Sequence, residues 1–199
     1  MEPFEQELRE RGIHRVAGLD EVGRGALFGP VLAGAVILDP ARPIEGLNDS
    51  KKLSAAQRGK AFGAINAQAL DWSVGLASAP EIDQINILQA THLAMRRALA
   101  ALRVTPEHLL VDALVVEGVD CEQTAIVRGD GRCESIAAAS IMAKCARDAL
   151  MAGYGRVVRG YGLGRNMGYG TEEHRGAILR NGFSDFHRKT FRVQGSLPF

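Results

Sequence analysis

HRVAGLDEVGRGALFGPVLAGAVIL, residues 14–38, is the part of the chain that most strongly indicates its fold. Residues 14–20 have the composition of a short strand that ends in an acidic residue. The apolar run 31–38 predicts a buried strand. Because the glycine-rich connection GRGALFGP is too short for a crossover, the two strands are predicted to be antiparallel neighbours.

The rest of the chain alternates predicted helices with predicted strands. Ser54 and Gln57 form a capping box, and Thr171 and Gly182 have the residue types of helix caps. Helices are predicted at 54–70, 83–103, 133–151 and 172–181, and strands at 72–77, 108–114 and 124–130. The segment 153–170 is expected to be irregular. This order predicts an α/β fold, a mixed sheet flanked by helices.

Composition argues against membrane and secreted classes of protein. No apolar run approaches the ~20 residues that a membrane-spanning helix requires. The acidic N-terminal sequence MEPFEQELRERG is not expected to be a signal peptide. Three cysteines without a CxxC pair predict reduced thiols rather than a disulfide or zinc site. We therefore expect a cytoplasmic protein with no membrane association. A monomer is a separate expectation.

Charge is distributed unevenly along the chain. Residues 1–150 contain 16 basic and 20 acidic side chains, whereas residues 151–199 contain 8 basic and 3 acidic ones. A basic C-terminal quarter is suggestive of a polyanionic partner.

Acidic residues stand at the ends of three predicted strands. Asp20 and Glu21 follow the first strand, Asp112 ends HLLVD, and Asp130 ends TAIVRGD. So many acids at strand ends require cations to neutralise them, and hard divalent metals prefer oxygen ligands. Solvated turns are the alternative explanation for each of them.

Two loops have the composition of phosphate or sugar contacts. Gly23-Arg24-Gly25 lacks the spacing and the following helix of a dinucleotide-binding loop, so it is either an ordinary turn or a close contact to a sugar-phosphate backbone. Ser50 and Lys51 precede a helix N-terminus, where hydroxyl, ammonium and amide groups suit a phosphate. A solvated loop is equally consistent with that segment.

Further candidates lie in the second half of the chain. Ser140, Lys144 and Arg147 share one face of a predicted helix, although Lys144 is equally suited to pair with Asp148. Tyr169, between two glycines, is either a stacking platform or a core aromatic. The basic run His187, Arg188 and Lys189 has the charge to hold a phosphate, or to form a solvated patch.

LDEVGRGALFGPVLAGAVIL resembles the opening signature of the ribonuclease HII family, the type 2 ribonucleases H. The segments LNDSKKLS, INILQATHLAM, LLVDA, RGD, SIAAASIMAKCARD, GYGT and FHRKTF follow in that family's order, so that the resemblance covers about residues 14 to 192. Ala113 and Val22 depart from the residues usual in the family, glycine and alanine respectively. Neither change removes a candidate ligand.

The resemblance implies a ribonuclease H-like catalytic domain over 1–152 and a C-terminal helical cap and tail over 153–199. It implies an endonuclease that cuts 5′ to ribonucleotides in RNA/DNA hybrids and in DNA duplexes with embedded ribonucleotides, leaving 5′-phosphate and 3′-hydroxyl ends. Such an enzyme removes ribonucleotides and primer RNA. Two Mg²⁺ or Mn²⁺ ions in the substrate complex are expected.

The resemblance also assigns roles to residues of this sequence. Metal-binding catalytic acids would be Asp20, Glu21, Asp112 and Asp130. The turn Gly23-Arg24-Gly25 would sense the ribose 2′-hydroxyl, Tyr169 would pack on the neighbouring sugar, and Lys51, Lys144 and Arg188 would contact phosphates. Beyond the family core, the spacing of Gln194, Leu197 and Phe199 is similar to peptides that dock on bacterial sliding clamps; a disordered tail is the alternative.

Three rival interpretations remain open from the sequence. A DNA nuclease or Holliday-junction resolvase on the same scaffold would share the acids without requiring a ribose. A non-catalytic nucleic-acid-binding domain would have a basic face and no need for clustered acids. A nucleotide-binding oxidoreductase is disfavoured because no helix is predicted after the glycines.

Overall fold

A computed structural model describes residues 1–193 and contains a five-stranded sheet. Its strands are β1 (Val16–Val22), β2 (Val31–Ile37), β3 (Asp71–Ala77), β4 (His108–Asp112) and β5 (Glu122–Ile126), in the order β3-β2-β1-β4-β5. β1, β2 and β3 form an antiparallel meander, whereas β4 runs parallel to β1 and β5 parallel to β4. The predicted mixed sheet and the predicted antiparallel first pair are confirmed.

Helices cover both faces of this sheet. They are α1 (Phe4–Glu10), α2 (Ala55–Gln68), α3 (Ala79–Ala101), α4 (Glu134–Val157), α5 (Leu163–Asn166) and α6 (Glu172–Asn181), with a 3₁₀ turn at Gly129–Gly131. α3 packs on one face and α4, backed by α2, packs on the other. The predicted capping box of Ser54 and Gln57 and the cap of α6 by Thr171 are both present.

Small residues let α4 lie unusually close to the sheet. A Cβ added at Gly18 would lie 2.0 Å from the carbonyl carbon of Ser135, and one at Gly34 would lie 2.3 Å from the carbonyl oxygen of Ala139. Only glycine fits where backbone meets backbone in this way. The alanine-rich sequence of α4 therefore brings the helix, and the side chains on its inner face, against the strands that carry the acids.

The structure differs from the predicted elements at several boundaries. α4 extends to Val157 and α5 follows it, so 153–170 is less irregular than predicted, and α4 crosses the predicted domain boundary at 152. β5 ends at Ile126 rather than at residue 130. α1 was not predicted, because its seven residues show too short an apolar pattern to be distinguished from a polar terminus.

The C-terminal segment folds back onto the loop between β1 and β2. Isolated β-bridges join Ala26 to Tyr169 and Phe28 to His187. Phe28 is fully buried and its ring contacts those of Tyr154 and His187. The loop that follows the Gly-Arg-Gly turn is therefore held between two C-terminal segments. No helix within residues 1–193 has the length and apolar character needed to cross a bilayer.

Candidate active site

Parallel pairing of β1 with β4 brings two acidic side chains to the same edge of the sheet. Leu19 is in register with Val111, so Asp20 and Asp112 are the next residues along adjacent strands. Glu21 follows Asp20, one residue before the end of β1. Burial is the largest cause of the raised pKa values of Asp20 and Glu21, and the negative charge of Asp112 also raises both values. This places the first three predicted acids together.

Asp130 reaches the same edge from a 3₁₀ turn. The amide of Gly129 donates a 2.7 Å hydrogen bond to Oδ1 of Asp112. Arg128, just before the turn, adopts a left-handed conformation with φ of 57° that reverses the chain after β5. Asp130 was predicted to end a strand; it lies instead four residues beyond the strand, in a turn that its neighbour Gly129 ties to Asp112.

Burial and repulsion from neighbouring carboxylates raise the pKa values of Asp20 and Asp130. Asp20 is only 6% exposed, and burial followed by the charge of Glu21 raises its pKa to about 8. Burial also raises the pKa of Asp130, with Asp49 and Asp112 adding to the effect. Carboxylates in such surroundings favour a bound cation, which would offset both the burial and the repulsion.

The donor chemistry fits a hard divalent ion, but the side chains do not form a closed cage. Within residues 1–193, no three His, Cys, Asp or Glu side chains are already arranged to ligate one ion. Asp20, Glu21, Asp112 and Asp130 all offer carboxylate oxygens, which Mg²⁺ and Mn²⁺ prefer.

Ser140 contacts Asp20, and Ser50 in turn contacts Ser140. The Ser50 and Ser140 hydroxyl groups lie 2.9 Å apart and both side chains are buried. A hydrogen bond from Ser140 lowers the pKa of Asp20, against the larger effect of burial. Ser50, predicted to bind substrate, therefore contacts Ser140 in the interior instead. This buried position does not fit the predicted direct contact between Ser50 and a phosphate.

Lys51 is a basic side chain that lies close to Asp130. Its Nζ lies 3.9 Å from Oδ2 of Asp130, and the ammonium side chain is 82% exposed. Although burial lowers it, the pKa of Lys51 is raised overall, by Asp130 most strongly and then by Asp20. An exposed cation beside the carboxylates is well placed to meet a phosphate oxygen.

Asp49 was not among the predicted site residues. It raises the pKa of Asp130, and its own carboxylate accepts a 2.9 Å hydrogen bond from the amide of Lys51. Asp49 therefore shapes the loop that carries Lys51. The acidic residue in LNDSKK was the available signal, but its loop could be placed against Asp130 only in three dimensions.

The Gly23-Arg24-Gly25 turn lies immediately beyond the acids. Gly23 has φ of +88°, and a Cβ there would lie 2.2 Å from Nε of Arg147. Arg24 and Gly25 are exposed, and Nη1 of Arg24 lies 3.4 Å from Oε1 of Glu21. The turn is therefore packed from inside and open outside, and it is linked to the carboxylate cluster.

Arg188 lies behind this turn rather than on the surface. Its side chain is fully buried and donates to the carbonyl oxygens of Gly23, Arg24 and Gly29 at 2.7–2.9 Å. Burial, followed by the nearby charge of Arg147, lowers the pKa of Arg188 to about 9. A direct phosphate contact by Arg188 is incompatible with this placement, so that prediction is wrong.

Tyr169 stands beside the turn on a second buried arginine. Its backbone bridges to Ala26, and its ring lies 5.2 Å from the guanidinium carbon of Arg147. Arg147 is fully buried and donates to the carbonyl oxygens of Phe28, Pro30 and Met167. The structure thus brings Tyr169 next to the Gly-Arg-Gly turn, as a partly exposed ring backed by a cation.

Lys144 is engaged within its own helix. Its Nζ donates a 2.7 Å hydrogen bond to Oδ1 of Asp148, one turn further along α4. This is the helical pair that the spacing also allowed. Lys144 therefore has a partner in the protein, and a phosphate would have to compete with it.

Comparison with known proteins shows which family the chain resembles along most of its length. A profile of the ribonuclease HII family matches residues 17–194. A ribonuclease HII of Moorella thermoacetica is 50% identical over 95% of this chain and 92% of its own length.

Three solved structures share the fold. The ribonuclease H2 of Pyrococcus horikoshii superposes with a TM-score of 0.72 at 28% identity, covering 90% of this chain and 94% of that one. The ribonuclease HII in a complex with PCNA from Archaeoglobus fulgidus gives 0.74 at 24% identity, covering 92% and 98%. A Bst ribonuclease HIII in complex with Mn²⁺ gives 0.66 at 20% identity, covering 84% and 63%. The last two show the fold alone.

The family profile, the curated relative and the shared mixed sheet all identify the same class of enzyme. The chain belongs to the ribonuclease HII family of metal-dependent endoribonucleases.

Proposed function

We propose that Asp20, Glu21, Asp112 and Asp130 are the catalytic acids with which this chain cuts the phosphodiester 5′ to a ribonucleotide. The substrates would be RNA/DNA hybrids and DNA duplexes with embedded ribonucleotides, and the products would carry 5′-phosphate and 3′-hydroxyl ends. The observation that carries the proposal is the placement of these acids at one sheet edge, beside an exposed Gly-Arg-Gly turn.

The acids would hold two divalent ions, Mg²⁺ or Mn²⁺. Asp20, Asp112 and Asp130 would supply most of the carboxylate ligands, and Glu21 would complete the set. Bound there, such ions supply an activated water and offset negative charge on the leaving 3′-oxygen. The raised pKa values of Asp20, Glu21 and Asp130 support this proposal, because a bound cation would offset the burial and repulsion that disfavour the ionised carboxylates.

The protein's own groups would position the substrate. The hydrogen bond from Ser140 lowers the pKa of Asp20 against the larger effect of burial, and so favours the ionised carboxylate that a cation needs. Lys51 would attract a phosphate to the edge of the site, since it is exposed and close to Asp130. Both Ser140 and Lys51 could act from the positions that they occupy in the structure.

Selection of RNA would lie in the turn and in Tyr169. Only RNA offers a 2′-hydroxyl at the sugar next to the cut. Gly23-Arg24-Gly25 can bring main-chain groups close to that hydroxyl, because no Cβ at Gly25 would intervene. Tyr169 would pack on the neighbouring sugar, with its ring held in place over Arg147.

The test is cleavage of an end-labelled DNA duplex that contains one ribonucleotide, in Mg²⁺ or Mn²⁺ and with an EDTA control. We expect one metal-dependent cut 5′ to the ribonucleotide. Cleavage of a hybrid but not of this duplex would remove the role of the turn and Tyr169 at junctions. Equal cleavage of an all-DNA duplex would support a DNA nuclease instead, and binding without any cleavage would support a non-catalytic domain.

We also propose that the chain's end docks on a sliding clamp. The support is the spacing of Gln194, Leu197 and Phe199, which lie outside the described residues, and the presence of PCNA in the complex of the Archaeoglobus fulgidus protein. Binding of the full chain to a purified bacterial clamp, compared with a chain lacking 194–199, tests this proposal. Equal binding by both chains would refute it.

A further inference from the structure

The Gly-Arg-Gly turn contains two main-chain amides that belong to exposed residues, those of Arg24 and Gly25. Among residues 1–193, the N–H groups of Arg24 and Gly25 make no hydrogen bond, although the next amide, that of Ala26, donates to the Gly23 carbonyl at 3.2 Å. Two adjacent free amides form a small concave donor site, which suits an oxygen acceptor such as a hydroxyl or phosphate oxygen.

Arg188 contacts the opposite side of the same two peptide groups. Its Nη2 donates to the carbonyl oxygen of Gly23 at 2.7 Å, and its Nη1 donates to that of Arg24 at 2.7 Å. Residues 1–193 contain no cis peptide bond. In a planar trans peptide the carbonyl and the amide point in opposite directions. Holding these carbonyls inward therefore turns the amides of Arg24 and Gly25 away from Arg188.

We infer that Arg188 is a positioning residue for ribonucleotide selection: its buried guanidinium presents the amides of Arg24 and Gly25 to the ribose. This inference rests on the proposed function of the turn. It replaces the predicted phosphate contact, because the side chain touches no solvent and acts through the backbone that it holds.

The side chain is itself anchored for that task. The amide of Arg188 donates to the carbonyl of Leu27, and its guanidinium lies 5.1 Å from the ring centre of Phe191. The next two residues, Lys189 and Thr190, donate their amides to the carboxylate of Asp83 at 2.9 and 3.0 Å. The ammonium group of a lysine has three donors on one nitrogen. It cannot replace the planar guanidinium, whose separate nitrogens reach three carbonyl oxygens.

Arg188→Lys tests the inference because it keeps a buried cation while removing the fork. The measurement is fluorescence anisotropy in EDTA at one fixed salt concentration, with a duplex that contains one ribonucleotide and a matched all-DNA duplex. The ratio of the two dissociation constants reports discrimination without any catalysis. We expect Arg188→Lys to lower this ratio by about tenfold, as loss of one well-oriented hydrogen bond would.

Asp71→Asn provides the matched control for a general loss of stability. Asp71 is buried at the start of β3, paired with Ile37 at the end of the sheet remote from the acids, and it accepts from the amide of Val104. We expect this variant to melt at a lower temperature and to keep the wild-type ratio. An unchanged ratio in Arg188→Lys would overturn the inference and leave the proposed function intact.

A wild-type measurement covers the case in which Arg188→Lys does not fold. The ¹⁵N-amide resonances of Arg24 and Gly25 should move on addition of the ribonucleotide duplex and not of the all-DNA duplex. Absence of that difference would overturn the inference. If the wild type neither discriminates between the two duplexes nor cleaves, both the proposed function and the inference are wrong. If it cleaves but these amides do not distinguish the duplexes, only the inference is wrong.

Discussion

The amide of Gly129 donates a 2.7 Å hydrogen bond to Oδ1 of Asp112, and it thereby joins a strand end to a turn 17 residues further along the chain. Asp130 stands next to Gly129, so this bond sets the distance between two of the proposed metal ligands. Asp112 still has its second carboxylate oxygen available for a cation. The site is therefore built partly by the sheet and partly by a loop that is tied to it.

Asp20→Asn should abolish cleavage without unfolding the protein. The amide is nearly isosteric but loses the charge that a divalent ion needs, and several kcal/mol of transition-state stabilisation correspond to a loss of about a thousandfold or more. Single-turnover cleavage of the one-ribonucleotide duplex measures the effect, and circular dichroism checks the fold. Full activity in Asp20→Asn would remove Asp20 from the catalytic set.

Metal-free stability should depend on Asp20 in a defined pH window. Because the folded pKa of Asp20 is raised to about 8, its contribution is most favourable below its ordinary value near 4 and is lost as pH rises toward 8. Between pH 5 and pH 8 the wild type should lose a few kcal/mol more than Asp20→Asn, since one pKa unit corresponds to about 1.4 kcal/mol. Urea unfolding in EDTA at both pH values gives the comparison; parallel pH profiles would contradict it.

Mg²⁺ should stabilise the wild type, and more at pH 8 than at pH 6. Ion binding requires ionised carboxyl groups, and the pKa of Asp20, raised to about 8, keeps this carboxyl group largely protonated at pH 6. The pKa values of Glu21 and Asp130 are shifted in the same direction. Thermal melts with and without Mg²⁺ at each pH measure the shift in Tm. Asp20→Asn is the control and should show a smaller shift; an equal shift would place the ion elsewhere.

Gly23→Ala and Gly25→Ala should separate folding from substrate contact. At Gly23 the backbone is left-handed and a Cβ would clash with Arg147, so alanine should cost about 2 kcal/mol or more in the free energy of unfolding. At Gly25 a Cβ meets nothing within 4 Å. Gly25→Ala should keep the wild-type Tm and weaken binding of the ribonucleotide duplex. Wild-type binding by Gly25→Ala would show that the turn does not contact the substrate.

Tyr169→Ala should lower junction cleavage, whereas Tyr169→Phe should retain most of it. The ring supplies a packing surface over Arg147, and stacking of this kind contributes about 1–3 kcal/mol, or roughly tenfold to a hundredfold. The measurement is the ratio of cleavage at a single ribonucleotide to cleavage of a hybrid. An unchanged ratio in Tyr169→Ala would remove the role of this residue in junction recognition.

Glu5→Ala should destabilise the fold through α4. Oε1 of Glu5 accepts the amide of Ser135 at 2.8 Å, while Cys133, the N-cap of α4, provides no side-chain cap. Loss of such a cap costs about 1–2 kcal/mol. Glu7→Ala, at an exposed position of α1, the helix that also carries Glu5, is the matched control and should change the free energy of unfolding little. Equal effects in the two variants would mean that Glu5 does not cap α4.

Local sequence determined much of the scaffold. The capping box of Ser54 and Gln57 and the strand patterns depend on residues a few positions apart. The short loop from Gly23 to Pro30 left β1 and β2 no pairing except an antiparallel one. The ends of β1 and β4 also placed Asp20, Glu21 and Asp112 correctly, since parallel neighbours end at one edge.

Tertiary structure alone decided which charged side chains join the carboxylate cluster and which are buried away from it. Asp130 reaches the cluster through a left-handed residue and a 3₁₀ turn, and nothing in its local pattern distinguishes that from a strand end. Arg188 looked like a surface cation because it stands in a basic run, yet it is buried. Its burial depends on carbonyl oxygens of residues 23–29, more than 150 positions away. Hydrophobic periodicity depends only on residues a few positions apart, so it cannot indicate contacts at such separations. Only the folded chain shows them.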